Sequence, residues 1–193
     1  MRIGILALQG DFTEHMAILS RLNADAVLVR LPQQLGNIDG LIIPGGESTT
    51  ISKLMLNYDL VEPIRKLAHQ GLPVWGTCAG MVLLAGKVIN SEVASLQIMN
   101  IEVKRNAFGR QADSFETELS IPVLNNDPFL GVFIRAPVIV KVAPDVGVLC
   151  RLSDGTVVAA KEKNILASAF HPELTDDLRV HRYFLDIVAR CVK

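Results

Sequence analysis

The sequence predicts an α/β fold of three layers, with a mostly parallel central sheet, helices on both faces and an antiparallel β extension. Three observations predict it. Up to about residue 85, short apolar runs alternate with helical patterns, the mark of βαβ units feeding a parallel sheet. Beyond residue 86 the helical patterns give way to short strands and turn signals, until one last helix closes the chain. No linker-like stretch, low-complexity segment or internal repeat interrupts the 193 residues, so residues 1–193 are expected to form one domain with a substantial core.

The elements follow in order. Residues 2–8 read as a buried strand. Asp11 then offers a helix cap with Glu14 three residues on, as in a capping box, and Met16, Leu19 and Leu22 continue an apolar face to about residue 22. Residues 26–31 form a second strand, closed by Pro32, and residues 39–43 a third, ending at Pro44-Gly45-Gly46-Glu47-Ser48. Helical patterns cover 49–57 and 60–70. A fourth strand runs into Gly76, and its helix extends to about residue 85. Strands are then expected at 98–105, 115–121, 132–135 and 138–142, with a loop at 106–111. Residues 146–152 and 156–160 flank Ser153-Asp154-Gly155, a hairpin signal. A strand at 165–170 leads into His171-Pro172-Glu173, and the last helix runs from Asp176, a plausible cap, to Cys191.

Composition removes several function classes. Half the residues are hydrophobic, 20% are charged and the net charge is −1, so the chain is neither disordered nor basic enough to suggest nucleic acid. No run approaches the roughly 18 apolar residues of a membrane helix. The first apolar stretch is only a strand long and lacks a cleavage-type site, so a cytoplasmic protein is expected. The three cysteines fit neither a disulfide framework nor a zinc spacing. Cys150 lies in an apolar run and reads as a small buried hydrophobe, and Cys191 gets no role.

Cys78 differs. Gly76-Thr77-Cys78-Ala79-Gly80 places it between a strand and an apolar helix, as in a nucleophile elbow, where a sharp turn lifts one side chain above the sheet edge. The glycines allow the close approach such a turn needs, and a helix N-terminus favours thiolate. In parallel sheets ligands bind beyond the carboxyl ends of the strands, where Gly10, Gly45-Gly46 and Cys78 all fall.

A cysteine nucleophile needs a base and an orienter for that base. Of the four histidines, His15 and His69 sit in helical patterns and read as surface or half-buried structural residues. His181 reads as solvent-facing or packed. His171 follows an apolar strand, Pro172 stiffens its turn, and Glu173 is close enough in sequence to hold the imidazole, as the acid does in a triad. The Ala79 amide and the Gly45-Gly46 turn are candidate oxyanion donors. Neither glycine-rich phosphate motif occurs. Glu47 suits a substrate ammonium, and Arg105 and Arg135 suit a carboxylate, if the substrate is an amino acid. The elbow by itself means only a reactive cysteine, compatible with protease, hydrolase or redox sensor; His171 and Glu173 supply its proton chemistry.

The elbow, His171-Pro172-Glu173 and Pro44-Gly45-Gly46 together resemble class I glutamine amidotransferases. Val82 stands where many members have glutamine, and this version resembles the glutaminase subunits of pyridoxal 5′-phosphate synthases. Leu8-Gln9-Gly10, Glu47-Ser48-Thr49-Thr50, Arg105-Asn106-Ala107-Phe108-Gly109-Arg110-Gln111, Ser114-Phe115-Glu116, Gly131-Val132-Phe133-Ile134-Arg135-Ala136-Pro137, Val158-Ala159-Ala160-Lys161 and Leu174-Thr175 agree with it nearly end to end. Gln97 departs, since the family often has glycine there, and residues 87–95 match poorly.

The resemblance implies hydrolysis of L-glutamine through Cys78, His171 and Glu173, with Gly46, Glu47, Ser48, Arg105, Ile134 and Arg135 contacting glutamine. Gly45, Gly46 and Ala79 would form the oxyanion hole, organised on docking to a partner. The implied partner is a barrel-shaped, multimeric synthase subunit that takes up the ammonia. No metal and no cofactor are implied. A glutaminase serving histidine or purine synthesis, or a non-catalytic binding or chaperone-like protein that keeps the elbow, are the alternatives. Val82 and residues 105–111 argue against the first, and His171-Pro172-Glu173 against the second.

Overall fold

Local sequence decides which strands lie deepest. The computed structural model describes residues 1–107 and 114–191; residues 108–111 of the Arg105–Gln111 motif lie outside them. Strand β1 (Arg2–Leu6) leads to helix α1 (Phe12–Arg21), then β2 (Asp25–Val29), a 3₁₀ turn (Pro32–Asn37), β3 (Gly40–Ile43), α2 (Ser48–Asn57), α3 (Val61–His69), β4 (Val74–Thr77) and α4 (Ala79–Leu84). The second half runs β5 (Ala85–Ile89), β6 (Met99–Lys104), β7 (Ser114–Leu119), β8 (Phe129–Ile134), β9 (Val138–Val142), β10 (Gly147–Arg151), β11 (Val157–Glu162), β12 (Ile165–Ser168), a 3₁₀ turn (Pro172–Leu174) and α5 (Arg179–Cys191).

Every residue of β3, β4 and β12 is buried, as expected of parallel strands covered on both faces. β7 and β8 instead alternate between covered and more open positions, as half-buried antiparallel strands do. Among the described residues the main sheet runs β2-β1-β3-β4-β12-β11-β9-β6-β5, with β10 beside β11, and β7-β8 form a separate pair. Its β2-to-β12 half is parallel throughout, while β11 pairs antiparallel with β12, β9 and β10, and β6 with β9. The sheet is thus mixed: its β2-to-β12 half is wholly parallel, and the other half joins antiparallel pairs to the parallel pair β5-β6.

The three layers follow from strand alternation. Trp75 points to one face, against His15 of α1 and His181 and Phe184 of α5. The next residue, Gly76, faces α4, where a methyl group would strike the Gly80 backbone at 2.5 Å. Gly80 in turn lies on the Ile43 carbonyl and leaves no room for a side chain. This contact lets α4, buried all round, sit directly on β3 and β4. Each large aliphatic or Phe side chain fully buried in these layers contributes about 1.5–3 kcal/mol.

The structure corrects several expectations. The helix after Cys78 ends at Leu84, and Ala85–Ile89 pairs parallel with β6, because an extended chain here finds an open strand edge. The turn Pro32–Asn37 was not anticipated, although Pro at its start is favourable. Asp11 makes no capping bond to α1. The last helix starts at Arg179, whose N–H donates to Asp177, while Asp176 pairs with Arg21. The hairpin turn holds: Leu152 N–H donates to the Thr156 carbonyl and Gly155 N–H to that of Leu152. Cys150 is buried, and burial pushes its thiol up to about 11. Among the described residues no helix is long and apolar enough to cross a membrane.

Candidate active site

Two neighbouring strands deliver the central pair. In the parallel register of β4 and β12, Thr77 lies beside Ser168, so Cys78 and His171 both emerge at the same sheet edge. Backbone bonds fix both exits: Cys78 N–H donates to the Ser168 carbonyl at 2.8 Å, and His171 N–H to the Val132 carbonyl of β8 at 2.8 Å. Cys78 has φ +46° and ψ −104°, a region costly for a side-chain-bearing residue, as the elbow reading requires. Its thiol sits 3.8 Å from the Ile134 carbonyl.

His171 Nδ1 donates to Glu173 Oε1 at 2.7 Å. A second carboxylate stands close by, with Asp11 Oδ2 3.3 Å from the same nitrogen. The Glu173 side chain is fully buried, whereas that of Asp11 is 36% exposed, so water screens Asp11 and Glu173 is the firmer anchor. Burial opposes a charged His171, but Asp11, Cys78 and Glu173 outweigh it and push the imidazole up to about 12. Burial raises Glu173, and His171 pulls it back. Among the described residues His171 Nε2 is buried without a hydrogen-bond partner, while Cys78 is among the groups favouring its charge. This is the loose pairing common in an unliganded nucleophile and base. Although the sequence shows no metal-ligand spacing, the fold gathers Asp11, His171 and Glu173 with ligand atoms within 4.8 Å; two of these atoms are already bonded to each other.

The Gly45-Gly46 turn lies against this pair. The Gly45 carbonyl accepts from Asp11 N–H at 3.1 Å, and Gln9 Oε1 accepts from Glu47 N–H at 2.8 Å. A side chain on Gly45 would collide with the His171 ring, and Gly46 has φ +149°, which favours glycine. Among the described residues nothing accepts the Gly46 N–H. Ala79 opens α4, where an amide has no intrahelical acceptor.

A cleft of about 660 Å³ opens over Cys78 and His171, lined also by Gly46, Glu47, Ser48, Ala79, Val82, Arg105, Ile134 and Arg135. Every residue expected to contact glutamine is on this wall, and Gly45 adjoins it. Glu47 and Arg105, assigned separately to an ammonium and a carboxylate, pair with each other at 3.1 Å. Glu47 also caps α2. Burial opposes its charge, but Thr50 and the amides of Thr49 and Thr50 hold it down to about 2. Arg135 follows β8 at φ +44°, and no carboxylate pairs with it among the described residues.

Sequence reasoning missed three residues. Asp11 turns to His171 rather than to its helix. His15, read as surface or half-buried, and His181, read as solvent-facing or packed, are both fully buried behind Glu173. A signal existed: His15 shares a helical face with Ile18 and Leu19, and His181 with Phe184, Leu185 and Val188.

Comparison with known proteins agrees with this geometry. The family described as SNO glutamine amidotransferase matches residues 5–190. Pyridoxal 5′-phosphate synthase subunit PdxT of Moorella thermoacetica is 56% identical over 188 residues, 97% of this chain and 100% of that protein. The protein of the same name from Carboxydothermus hydrogenoformans is 54% identical, over 98% of this chain and 99% of its own. A crystal structure described as a glutamine amidotransferase superposes with a TM-score of 0.92 at 46% identity, covering 97% of this chain and 98% of its own. The chain belongs to the SNO glutamine amidotransferase family.

Proposed function

We propose that this chain is the glutaminase subunit of a pyridoxal 5′-phosphate synthase, hydrolysing L-glutamine to L-glutamate and ammonia and passing the ammonia to a synthase subunit. The observation that carries the chemistry is the buried 2.7 Å bond from His171 to Glu173 beside an elbow cysteine. The pathway assignment is carried by likeness to PdxT over nearly the whole chain.

The reaction follows from the residues. The Cys78 thiolate attacks the side-chain amide carbon of glutamine. Amides of Ala79 and the Gly45-Gly46 turn hold the oxyanion, where one such donor is worth about 10²–10³ in rate. His171, kept in register by Glu173, gives its proton to the departing nitrogen. The C–N bond breaks, ammonia leaves and a γ-glutamyl thioester remains. Water, losing a proton to His171, attacks the thioester, and the thiolate departs from glutamate. Arg135 holds the α-carboxylate. Glu47, propped by Arg105, faces the α-ammonium, while Gly46, Ser48 and Ile134 shape the slot.

The partner is a barrel-shaped, multimeric synthase subunit whose docking arranges the Gly45-Gly46 turn. The test is an ammonia-release assay on the chain alone and with a synthase subunit. Glutamate and ammonia in equal amounts, increased by the synthase subunit, are expected. No hydrolysis under either condition overturns the reading, and hydrolysis indifferent to the synthase overturns the pathway assignment.

A further inference from the structure

The mechanism above leaves two fully buried, titratable side chains unused directly behind the triad. His15 comes from α1 and His181 from α5, and both rings are 0% exposed. His15 Nδ1 lies 2.9 Å from His181 Nε2. On its other side, His15 Nε2 lies 3.3 Å from Thr77 Oγ1 and 3.5 Å from Glu173 Oε2. Trp75 packs edge-on against both rings, at 5.6 and 4.8 Å between centroids. One small buried cluster thus touches the residue before the nucleophile and the free oxygen of the carboxylate that orients His171.

We propose that His15 and His181 are positioning residues, a relay in which His181 sets the tautomer of His15 and His15 ties Glu173 to Thr77, holding the two halves of the triad in register. This rests on the triad reading given above. The protons can be placed by chemistry. A lone pair on His15 Nε2 would face a carboxylate oxygen, so that nitrogen carries the hydrogen, donating to Thr77 Oγ1 at 3.3 Å and leaning toward Glu173 Oε2 at 3.5 Å. Nδ1 is then an acceptor, and His181 Nε2–H must donate to it. Burial, with the neighbouring histidines, holds His15 well below its ordinary value, and burial lowers His181 to about 3, so both rings are neutral. A neutral donor steadies Glu173 without placing a second cation beside His171.

The arrangement carries a cost that packing alone would not justify. His181 Nδ1 is buried with no partner, and an unsatisfied buried polar atom costs about 1–3 kcal/mol. Leu or Phe would fill the same space without it. On this reading the cost is offset because each imidazole both packs against Trp75 and hands on a directed N–H, which Leu or Phe cannot do.

The experiment combines spectra and kinetics on the full chain with its synthase subunit. Long-range ¹H–¹⁵N spectra of histidine-labelled, unaltered protein should show His15 and His181 as neutral Nε2–H tautomers; an Nδ1–H tautomer at His15 overturns the relay. His15→Phe should lower kcat roughly tenfold, the size of one hydrogen bond to a charged group, with KM for glutamine unchanged. His15→Gln, which restores an N–H donor, should recover most of that loss. In a Glu173→Gln background, His15→Phe should cost less than about twofold, because its effect passes through Glu173. An unchanged kcat in folded His15→Phe, or an equal loss in both backgrounds, overturns the proposal. Should His15→Phe not fold, the tautomer spectra decide. Full activity in Glu173→Gln itself would instead mean that the triad reading has failed.

Discussion

The two walls of the cleft are built on opposite terms. Behind Cys78 lies a dry wall: His171 and Glu173 are nearly or fully covered, and His15 and His181 complete the layer. Across from it stands a wet wall, where Glu47 and Arg105 keep 50% and 28% of their side chains exposed and Arg135 is open to solvent. Electrostatic contacts in the dry wall are strong because little water screens them. Those in the wet wall are weaker individually and give selectivity by geometry. The difference assigns rate to one wall and recognition to the other, and each assignment can be attacked separately.

The largest effect belongs to the dry wall. Cys78→Ala should reduce ammonia release by at least about 10⁴-fold while circular dichroism and synthase binding stay unchanged. Residual turnover near normal would mean that the wall holds no nucleophile. Next comes the wet wall. Arg135→Ala should raise KM for glutamine about 10- to 100-fold, the loss of a charge-assisted bond, and leave kcat within a few-fold. A fall in kcat with KM unchanged would erase the division between the walls.

Acid should reach the wet wall through Glu47. Its carboxyl lies at about 2 in the folded chain against an ordinary 4.5, so its stabilising effect is complete above about pH 4.5 and fades as pH falls toward 2. Glu47→Gln should flatten that part of a Tm-against-pH curve and leave the curve above pH 6 parallel to the parent's. A loss of the same size at every pH would show that the cap, not the charge, is what Glu47 supplies.

The smallest effect lies away from both walls and tests whether strain marks the site alone. Gln97 is exposed and has φ +55°. Left-handed backbone costs a side-chain-bearing residue about 1–2 kcal/mol, partly offset by the entropy a glycine loses. Gln97→Gly should therefore stabilise the chain by up to about 1 kcal/mol in urea unfolding, with glutaminase kinetics unchanged. Cys78 also has a positive φ, +46°, and on the proposed mechanism relief there would not be neutral.

Much of the dry wall was legible because its chemistry is written in contiguous motifs. Gly76-Thr77-Cys78-Ala79-Gly80 and His171-Pro172-Glu173 each declare a turn at a strand end, and apolar runs announced the parallel strands beside them. The legible part stops where the partners come from distant elements. Asp11 carries a capping signature yet faces His171, since the fold brings the end of β1 against the end of β12's turn. His15 shares a helical face with Ile18 and Leu19, which marks it as inward-facing, but its contact with His181 of α5 spans 166 positions and is not visible in residues 11–22. Glu47 and Arg105 were read as two independent charges because their pairing spans 58 positions of chain. The strand at Ala85–Ile89 was missed because a short run containing glycine and lysine becomes a strand only when β6 offers it an edge.

The place of β12 in the sheet has a consequence for the newly made chain. β4, which leads into Cys78, gains its second neighbour only when β12 inserts between it and β11. On the ribosome, where segments emerge in order, β4 waits with an unsatisfied edge through the synthesis of some ninety residues, the separation of Cys78 from His171. Unpaired edges of apolar strands are where nascent chains associate wrongly. The same late insertion closes the edge and brings His171 to Cys78, so on the proposed mechanism the cysteine meets its base only when the fold is complete.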